Sequence, residues 1–395
     1  MGYPEIKEVQ KMPSTTKIKI LECIRQGQIG GGESHLLSLV ENMDRNLFEP
    51  VVLSFTPGPM VDRLKEMGVE THVIYTERPF DIFKWKKVKN FISDKKFDLV
   101  HAHGTRANSN VLWASKKLNV PVIYTIHGWS FHPDQKMFVQ KLRIAGEKYL
   151  TSKSDINISV SKSNQQSGKS FIRSFQSLIV NNGIDLQKFN PDKSHKNIRA
   201  ELGISADEIL VLFIARFTHH KQPLTLIQAF AKAMKEYPEM HLLMVGDGDQ
   251  KNQAIQLIQS LGLEKKITLL PFRQDVPDIL SSADIYVLPS LWEGLPIGLL
   301  EAMSMRKAII ASNVDGTSEI IENNVNGILV ETDELIENTA KAMVILCKDK
   351  PLRHTFQQKA KETVAERFNA SIMTRQIEQI YLDVLKTKQT NKNGI

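Results

Sequence analysis

Two doubly wound α/β domains are the fold this sequence predicts, on three observations. The chain has 395 residues, more than one ordinary hydrophobic core accommodates. Short, continuously apolar runs alternate with longer helical patterns, as parallel strands covered on both faces by helices require. The alternation pauses once, around Gly183–His195, where Asn, Gly, Asp and Pro supply turn and linker chemistry before a fresh series starts.

In chain order the first series of expected strands is Ile18–Ile24, Val51–Phe55, Thr71–Tyr75, Leu99–Ala102, Val122–Ile126, Ile156–Val160 and Leu178–Val180. The second is Ile209–Ala215, His241–Val245, Ile267–Leu270, Ile285–Leu288, Ala308–Ala311 and Gly327–Val330. A final helical stretch over Val364–Thr387 carries Ile372, Ile377, Ile380, Tyr381 and Leu385, an apolar face that needs a surface to cover. The tail from Gln389 onward is polar and expected to fray.

Hydrophobic residues make up 42% and charged residues 24%, an ordinary globular balance. The two cysteines, Cys23 and Cys347, each lie in an apolar stretch; that argues against a disulfide framework or a Cys-rich metal site and fits a reducing compartment. No run of about 18 apolar residues is present to span a bilayer, and the N-terminus lacks the apolar core of a secretory signal. A cytoplasmic protein is expected. The Met1-Gly2 start is too short a match to argue for myristoylation. Lys and Arg exceed Asp and Glu by 7, which suits a phosphorylated substrate, nucleic acid or an anionic membrane, and no nucleic-acid motif accompanies the charge. The charge is dense at Lys84, Lys86, Lys87 and Lys89, interleaved with Phe83, Trp85 and Phe91. That stretch reads as an interfacial helix at an inner membrane face or, more plainly, as a solvated helix with its aromatics buried.

Three segments carry candidate chemistry. Gly30-Gly31-Gly32-Glu33-Ser34-His35 follows the first strand: the glycines permit a tight turn and close backbone approach, and a helix opening around Glu33–Leu36 would offer free N–H groups to an anion. It is neither a Walker A loop nor G-x-G-x-x-G, so no ATP or dinucleotide site follows from it. Arg216 comes directly after a buried strand, and Lys221 stands before a helix that Pro223 can start; two cations at the carboxyl end of a strand can neutralise a diphosphate. The third segment, Glu293-Gly294-Leu295-Pro296-Ile297 through Glu301, runs from a strand end into a helix. Carboxylates beside a diphosphate repel it, so Glu293 and Glu301 read as acceptors for sugar hydroxyls, with a metal site the weaker alternative. His101 and His103 share one strand face, either as an active-site wall or as a metal pair with no third ligand apparent. His132, His219 and His220 read as loop residues, and Trp129 and Phe131 as an acceptor platform or a core cap.

In this order the segments resemble the retaining glycosyltransferases of family GT4, which have the GT-B fold. The likeness covers nearly the whole chain, from Gly-Gly-x-Glu through Asn182-Gly183-Ile184-Asp185 and Gly246-Asp247-Gly248 to the E-x7-E pair Glu293…Glu301. It implies two Rossmann-like domains facing a cleft: residues 1–188 on the acceptor side, joined by a crossing helix 366–395, and residues 189–365 for the donor. It implies that Glu301 holds the ribose hydroxyls, and that Glu293 and the backbone of Gly294, Leu295, Pro296 and Ile297 hold the sugar. Arg216 and Lys221 would bind the diphosphate, helped by the Gly31 and Gly32 backbone. His127 matches the family's active-site histidine, and the backbone around Phe272 and Arg273 would read the base. Lys221-Gln222 replaces the family's lysine-glycine, and Asn181 replaces its proline; neither disturbs the match. The implied reaction is retaining transfer from a nucleoside-diphosphate sugar, with uracil expected and guanine the alternative, to a carbohydrate or lipid-linked acceptor in cell-surface polysaccharide or lipopolysaccharide assembly. No metal or other cofactor is expected. A sugar-nucleotide epimerase of the same fold and a non-catalytic nucleotide-sugar binder are the alternatives.

Overall fold

A computed structural model of the chain describes residues 17–28, 30–131 and 135–393. The Met1-Gly2 start, His132 and the last two residues of the tail lie outside these. The remainder of the tail continues the final helix to Asn393 instead of fraying.

All thirteen expected strands form, with ends shifted by at most a few residues. The first seven are β1 (Ile18–Ile24), β2 (Phe48–Ser54), β3 (Glu70–Val73), β4 (Leu99–His103), β5 (Val122–Ile126), β6 (Ile156–Ser159) and β7 (Leu178–Ile179). They make one parallel sheet in the order β3-β2-β1-β4-β5-β6-β7. The rest are β8 (Ile209–Ile214), β9 (Met240–Val245), β10 (Ile267–Leu270), β11 (Ile285–Leu288), β12 (Ala308–Ser312) and β13 (Ile328–Val330), in the order β10-β9-β8-β11-β12-β13. Both orders reverse beside the first strand of the series, opening a crevice at the carboxyl ends of β1/β4 and of β8/β11. This two-sheet architecture is GT-B.

The expected final helix is two helices, Lys350–Arg367 and Ala370–Asn393. The break has a cause: Ile184 donates its N–H to the Phe368 carbonyl and accepts from Ala370 N–H, both at 2.9 Å, drawing Phe368 and Asn369 out of helical geometry. The last helix then lies on the first sheet beside helix Gly31–Asn42, burying Met373, Ile377, Ile380 and Tyr381 against Ile20, Leu39, Leu99 and Ile123. Ile372, assigned to that face from sequence, is nearly half exposed.

The basic aromatic stretch forms helix Ile82–Lys95, but its aromatics diverge. Trp85 stacks on Trp113 at 5.5 Å and Phe91 packs on Phe97 and His72, whereas Phe83 stands in solvent. Trp129 and Phe131 are buried against each other and Phe175, so they cap the core and offer no platform.

Candidate active site

Helix Gly31–Asn42 begins two residues earlier than the sequence reading placed it, because Ser34 already donates to the Gly30 carbonyl at 2.8 Å. Gly31 and Gly32 are therefore its first residues, and their N–H groups have no acceptor within the helix. A Cβ on Gly32 would sit 3.3 Å from His127 Cδ2, so the glycine lets the helix start lie flat on that imidazole. Glu33 is buried beneath it: one oxygen takes a 3.4 Å contact from Arg25 Nε, the other has no partner, and burial lifts the carboxyl above its ordinary range against the pull of Arg25.

Across the cleft, Arg216 extends past β8 into solvent, among the charges of Arg25, Glu33, Glu293 and Asp249. The Lys221 ammonium pairs with the Glu293 carboxylate, both side chains largely buried. Their loops are tied together, since Leu291 donates to the His220 carbonyl at 2.8 Å and the His220 ring stacks on Trp292. His220, expected to be a plain loop residue, thus holds the Glu293 loop in place. Helix Ile297–Ser304 follows with Pro296 at its start, and Glu301 sits one turn in, its carboxylate making no hydrogen bond or ion pair with the described residues. Burial pushes its carboxyl up to about 7, with Lys188 opposing.

The two lobes meet at this point. A Cβ on Gly294 would fall 2.3 Å from the His127 carbonyl oxygen, a distance no side chain tolerates. Asn182 donates from Nδ2 to the Leu295 carbonyl and offers Oδ1 to His35 Nδ1, each at 2.9 Å. Gly31, Gly32, His127, Gly294, Leu295, Glu293, Lys221 and Arg216 are thereby brought together where the lobes meet. Phe272 and Arg273 stand further off, past the outer strand β10. Phe272 donates its N–H to Asp247 Oδ2 at 3.1 Å, and the Asp247 carbonyl accepts from Phe217 N–H at 2.9 Å, which is their route to the group. The Arg273 guanidinium is taken up by Glu201 and Asp275.

The histidine pair differs most from the sequence reading. His101 and His103 do have further partners. Glu22 in β1 receives His103 Nε2 at 2.9 Å and the Tyr381 hydroxyl at 2.6 Å. His101 joins Tyr381 through Nδ1 at 2.6 Å and Thr125 through Nε2 at 2.7 Å. His103 Nδ1 meets His127 Nε2 at 3.1 Å, and the His35 ring stands edge-on to His127. Ring nitrogens of His35, His103 and His127 lie within 4.8 Å of one another, as do ligand atoms of Glu22, His101 and His103, so either set could hold a cation. Sequence reasoning passed over Glu22, Glu33, Asn182 and Tyr381 as functional candidates. A charged residue inside the apolar strand Ile18–Ile24 was the available signal for Glu22.

Comparison with known proteins gives a consistent result. The model for glycosyl transferases group 1 matches residues 194–363, and that for glycosyltransferase family 4 matches residues 29–188. The chain is 27% identical to the Escherichia coli UDP-Gal:α-D-GlcNAc-diphosphoundecaprenol α-1,3-galactosyltransferase, over 95% of this chain and all of that one. It is 25% identical to the Bacillus anthracis N-acetyl-α-D-glucosaminyl L-malate synthase, over 83% and 85%. Among solved structures, Anabaena HepE in complex with UDP and glucose superposes with a TM-score of 0.82 over 93% of this chain and all of that one, at 23% identity, which shows the shared fold.

Proposed function

Because the chain belongs to the family 4, group 1 glycosyltransferases, we propose that it moves a sugar from a UDP-sugar to a hydroxyl of a lipid-linked, anionic acceptor, with retention at the anomeric carbon. The observation that carries this reading is a convergence: the start of helix Gly31–Asn42, Arg216 and the Lys221–Glu293 pair come together where a diphosphate would gather negative charge. When the bond from the anomeric carbon to the phosphate oxygen breaks, charge builds on the leaving UDP. Arg216, Lys221 and the free N–H groups of Gly31 and Gly32 stabilise it, as fixed donors do most effectively in a water-poor site. The acceptor oxygen bonds to the same face of that carbon, and its proton passes to the leaving phosphate. Glu293 and the backbone from Gly294 to Ile297 hold the sugar, Glu301 the ribose hydroxyls, and His127 lies against the sugar. The backbone around Phe272 and Arg273 reads the base. These roles use fixed positive charge and call for no metal.

The E. coli relative is named for a diphosphoundecaprenol acceptor and matches 95% of this chain over its own whole length, which supports a lipid-linked acceptor here. A surface feature supports it too. Phe83 and Ile82 are 85% and 60% exposed, and Phe138, Met137 and Leu142 are 79%, 70% and 65% exposed. The two groups follow the carboxyl ends of β3 and β5, the cleft end of the first sheet, and are linked through the Phe80 and Tyr149 rings. Lys86, Lys87, Lys136, Lys141 and Arg143, all exposed, lie within a few residues of them along the chain. An apolar patch rimmed by cations suits the headgroup layer of an anionic membrane, and resting there it would bring the cleft mouth to a lipid-borne substrate.

The test is a panel of UDP- and GDP-sugars incubated with GlcNAc-diphosphoundecaprenol, followed by nucleotide release and anomeric analysis of the product. Transfer with the donor's anomeric configuration is expected. An epimer formed without acceptor, or nucleotide bound without turnover, would reject the proposal in favour of an epimerase or a non-catalytic binder.

A further inference from the structure

The face of the first sheet that carries the last helix changes character along its strands. Side chains two apart share a face, and at the far end this face is apolar: Ile20, Leu99 and Ile123. Towards the cleft the same columns continue as Glu22, as His101 and His103, and as Thr125 and His127, all buried except His127, which is partly so. Apolar side chains of similar size would have filled this layer at less cost, because a buried carboxylate must recover its lost hydration from its partners. Every heteroatom here does have a partner until the chain reaches His127, whose Nδ1 is buried with none.

The hydrogen bonds fix where the protons are. Burial opposes ionisation of Glu22, but His101 and His103 prevail and hold its carboxyl well below the ordinary range, so it accepts only. Tyr381 O–H donates to Glu22 Oε1, and His103 must donate from Nε2–H to Glu22 Oε2. A neutral imidazole has one N–H, and His103 commits it to Glu22 from Nε2, so its Nδ1 is an acceptor. His127 must then donate from Nε2–H across the 3.1 Å contact. With its one N–H on Nε2, the His127 ring leaves Nδ1 bare, and that atom is buried with no partner among the described residues. A parallel deduction holds for His35. Asn182 Nδ2 is committed to the Leu295 carbonyl, so Oδ1 faces His35, which must carry its proton on Nδ1.

We propose that Glu22, His103 and Tyr381 are positioning residues that set His127 as its Nε2–H tautomer and hold its bare Nδ1 ready to accept a hydrogen bond from a sugar hydroxyl. Tyr381 belongs to the last helix, so this setting requires that helix to be seated on the first lobe. The assignment deepens the proposed transfer reaction and rests on it for the identity of the hydroxyl donor; the tautomer itself does not.

The test reads the tautomer and the kinetics separately. In protein labelled with 15N-histidine, long-range 1H–15N correlation at pH 7 reports the protonated nitrogen of each ring, with His127 assigned by its loss in His127→Asn. The expected wild-type state is neutral Nε2–H. Glu22→Gln leaves one acceptor oxygen where two donors need one, which frees His103 to reverse. We expect mixed His127 tautomers and a kcat lowered about 10-fold or more with donor KM within about 3-fold, the size of loss expected when one hydrogen bond to the reacting sugar is removed from the transition state. Tyr381→Phe, which keeps the carboxylate, should show the same direction with a smaller loss and serves if the Gln variant folds poorly. A wild-type His127 protonated on Nδ1, or a ring that changes state on adding zinc, overturns the proposal: the first reverses the chain, and the second makes the three imidazoles a metal site. Unchanged kcat in a folded Glu22→Gln variant overturns it as well, leaving the network a structural one. None of the spectra depends on substrate, so a wrong donor or acceptor would leave the tautomer result intact.

Discussion

Glu301→Gln should make the protein more stable and a poorer binder of nucleotide, and the two effects should separate with pH. The Glu301 carboxyl is raised from its ordinary value of 4.5 to about 7 by burial. A carboxyl whose folded pKa exceeds its unfolded one binds its proton more tightly in the fold, so stability falls as pH rises through that window. The cost is absent well below pH 4.5 and complete above pH 7. At about 1.4 kcal/mol per pH unit it reaches roughly 3 kcal/mol as an upper bound. A neutral glutamine of the same shape escapes most of it. At pH 8 the variant should gain up to about 3 kcal/mol, or several degrees in Tm at about 2–4 °C per kcal/mol for a lobe of this size; at pH 5 the gain should be under about 1 kcal/mol. In exchange, a charged acceptor for the ribose is lost, worth about 1.5–3 kcal/mol, or roughly 10- to 100-fold in UDP affinity. Wild-type affinity should itself weaken between pH 8 and pH 6 as the proton competes. Thermal unfolding at pH 5 and 8, with calorimetric UDP titration, gives both numbers. A variant less stable than wild type at both pH values, or one that binds UDP equally well, would refute the reasoning.

Further outcomes follow from the same geometry. Arg216→Ala and Lys221→Ala should each lower kcat by about 100- to 1000-fold, as removal of a transition-state donor does, with far-UV circular dichroism unchanged; donor turnover at the wild-type rate would remove the diphosphate assignment. Gly294→Ala places a methyl group 2.3 Å from the His127 carbonyl and should force the lobes apart, which small-angle scattering would register together with loss of transfer. Replacing Phe83 and Phe138 together by Ser should abolish co-sedimentation with anionic vesicles while leaving turnover on a water-soluble acceptor intact; equal sedimentation of the double variant and wild type would reject the membrane-facing patch. Prolonged dialysis against a chelator should leave transfer unchanged, and activity restored only by an added divalent ion would show that the fixed cations are insufficient.

The second-lobe part of the candidate site was legible in the sequence because its parts are contiguous. Arg216 and Lys221 lie five residues apart after one strand, and Glu293 to Glu301 is a single strand-to-helix passage, so strand-end position and Pro296 announce the site locally. The Glu293–Lys221 pair was not legible, since it depends on how two loops fold over the ends of β8 and β11. The acceptor side was read only in fragments. His127 came from resemblance, and His101 and His103 were seen as a pair sharing a face. Glu22, His35 and Tyr381 reach them from three other elements, across separations as large as 280 residues, and no local pattern encodes such a meeting. The helix break at Phe368 was missed for the same reason: nothing in residues 364–387 discloses that Ile184 pairs there.

Those two sides divide the electrostatic work. In the proposed reaction, negative charge grows on the departing diphosphate while positive charge grows at the anomeric carbon. Cations therefore help beside the phosphates and harm beside the sugar. The second lobe supplies Arg216 and Lys221 on flexible stems at its strand ends. From the first lobe the imidazoles of His35, His103 and His127 come up to the sugar, and burial holds all three below their ordinary range: His35 falls to about 3, His103 to about 4, and His127 lies well below. The Glu22 carboxylate stands behind His103, held well below its ordinary range by His101 and His103 against burial. A field running from Glu22 on one side to Arg216 on the other favours positive charge at the sugar and negative charge at the phosphate. It thus acts along the bond that must break, and the buried carboxylate is as much a part of that arrangement as the exposed arginine.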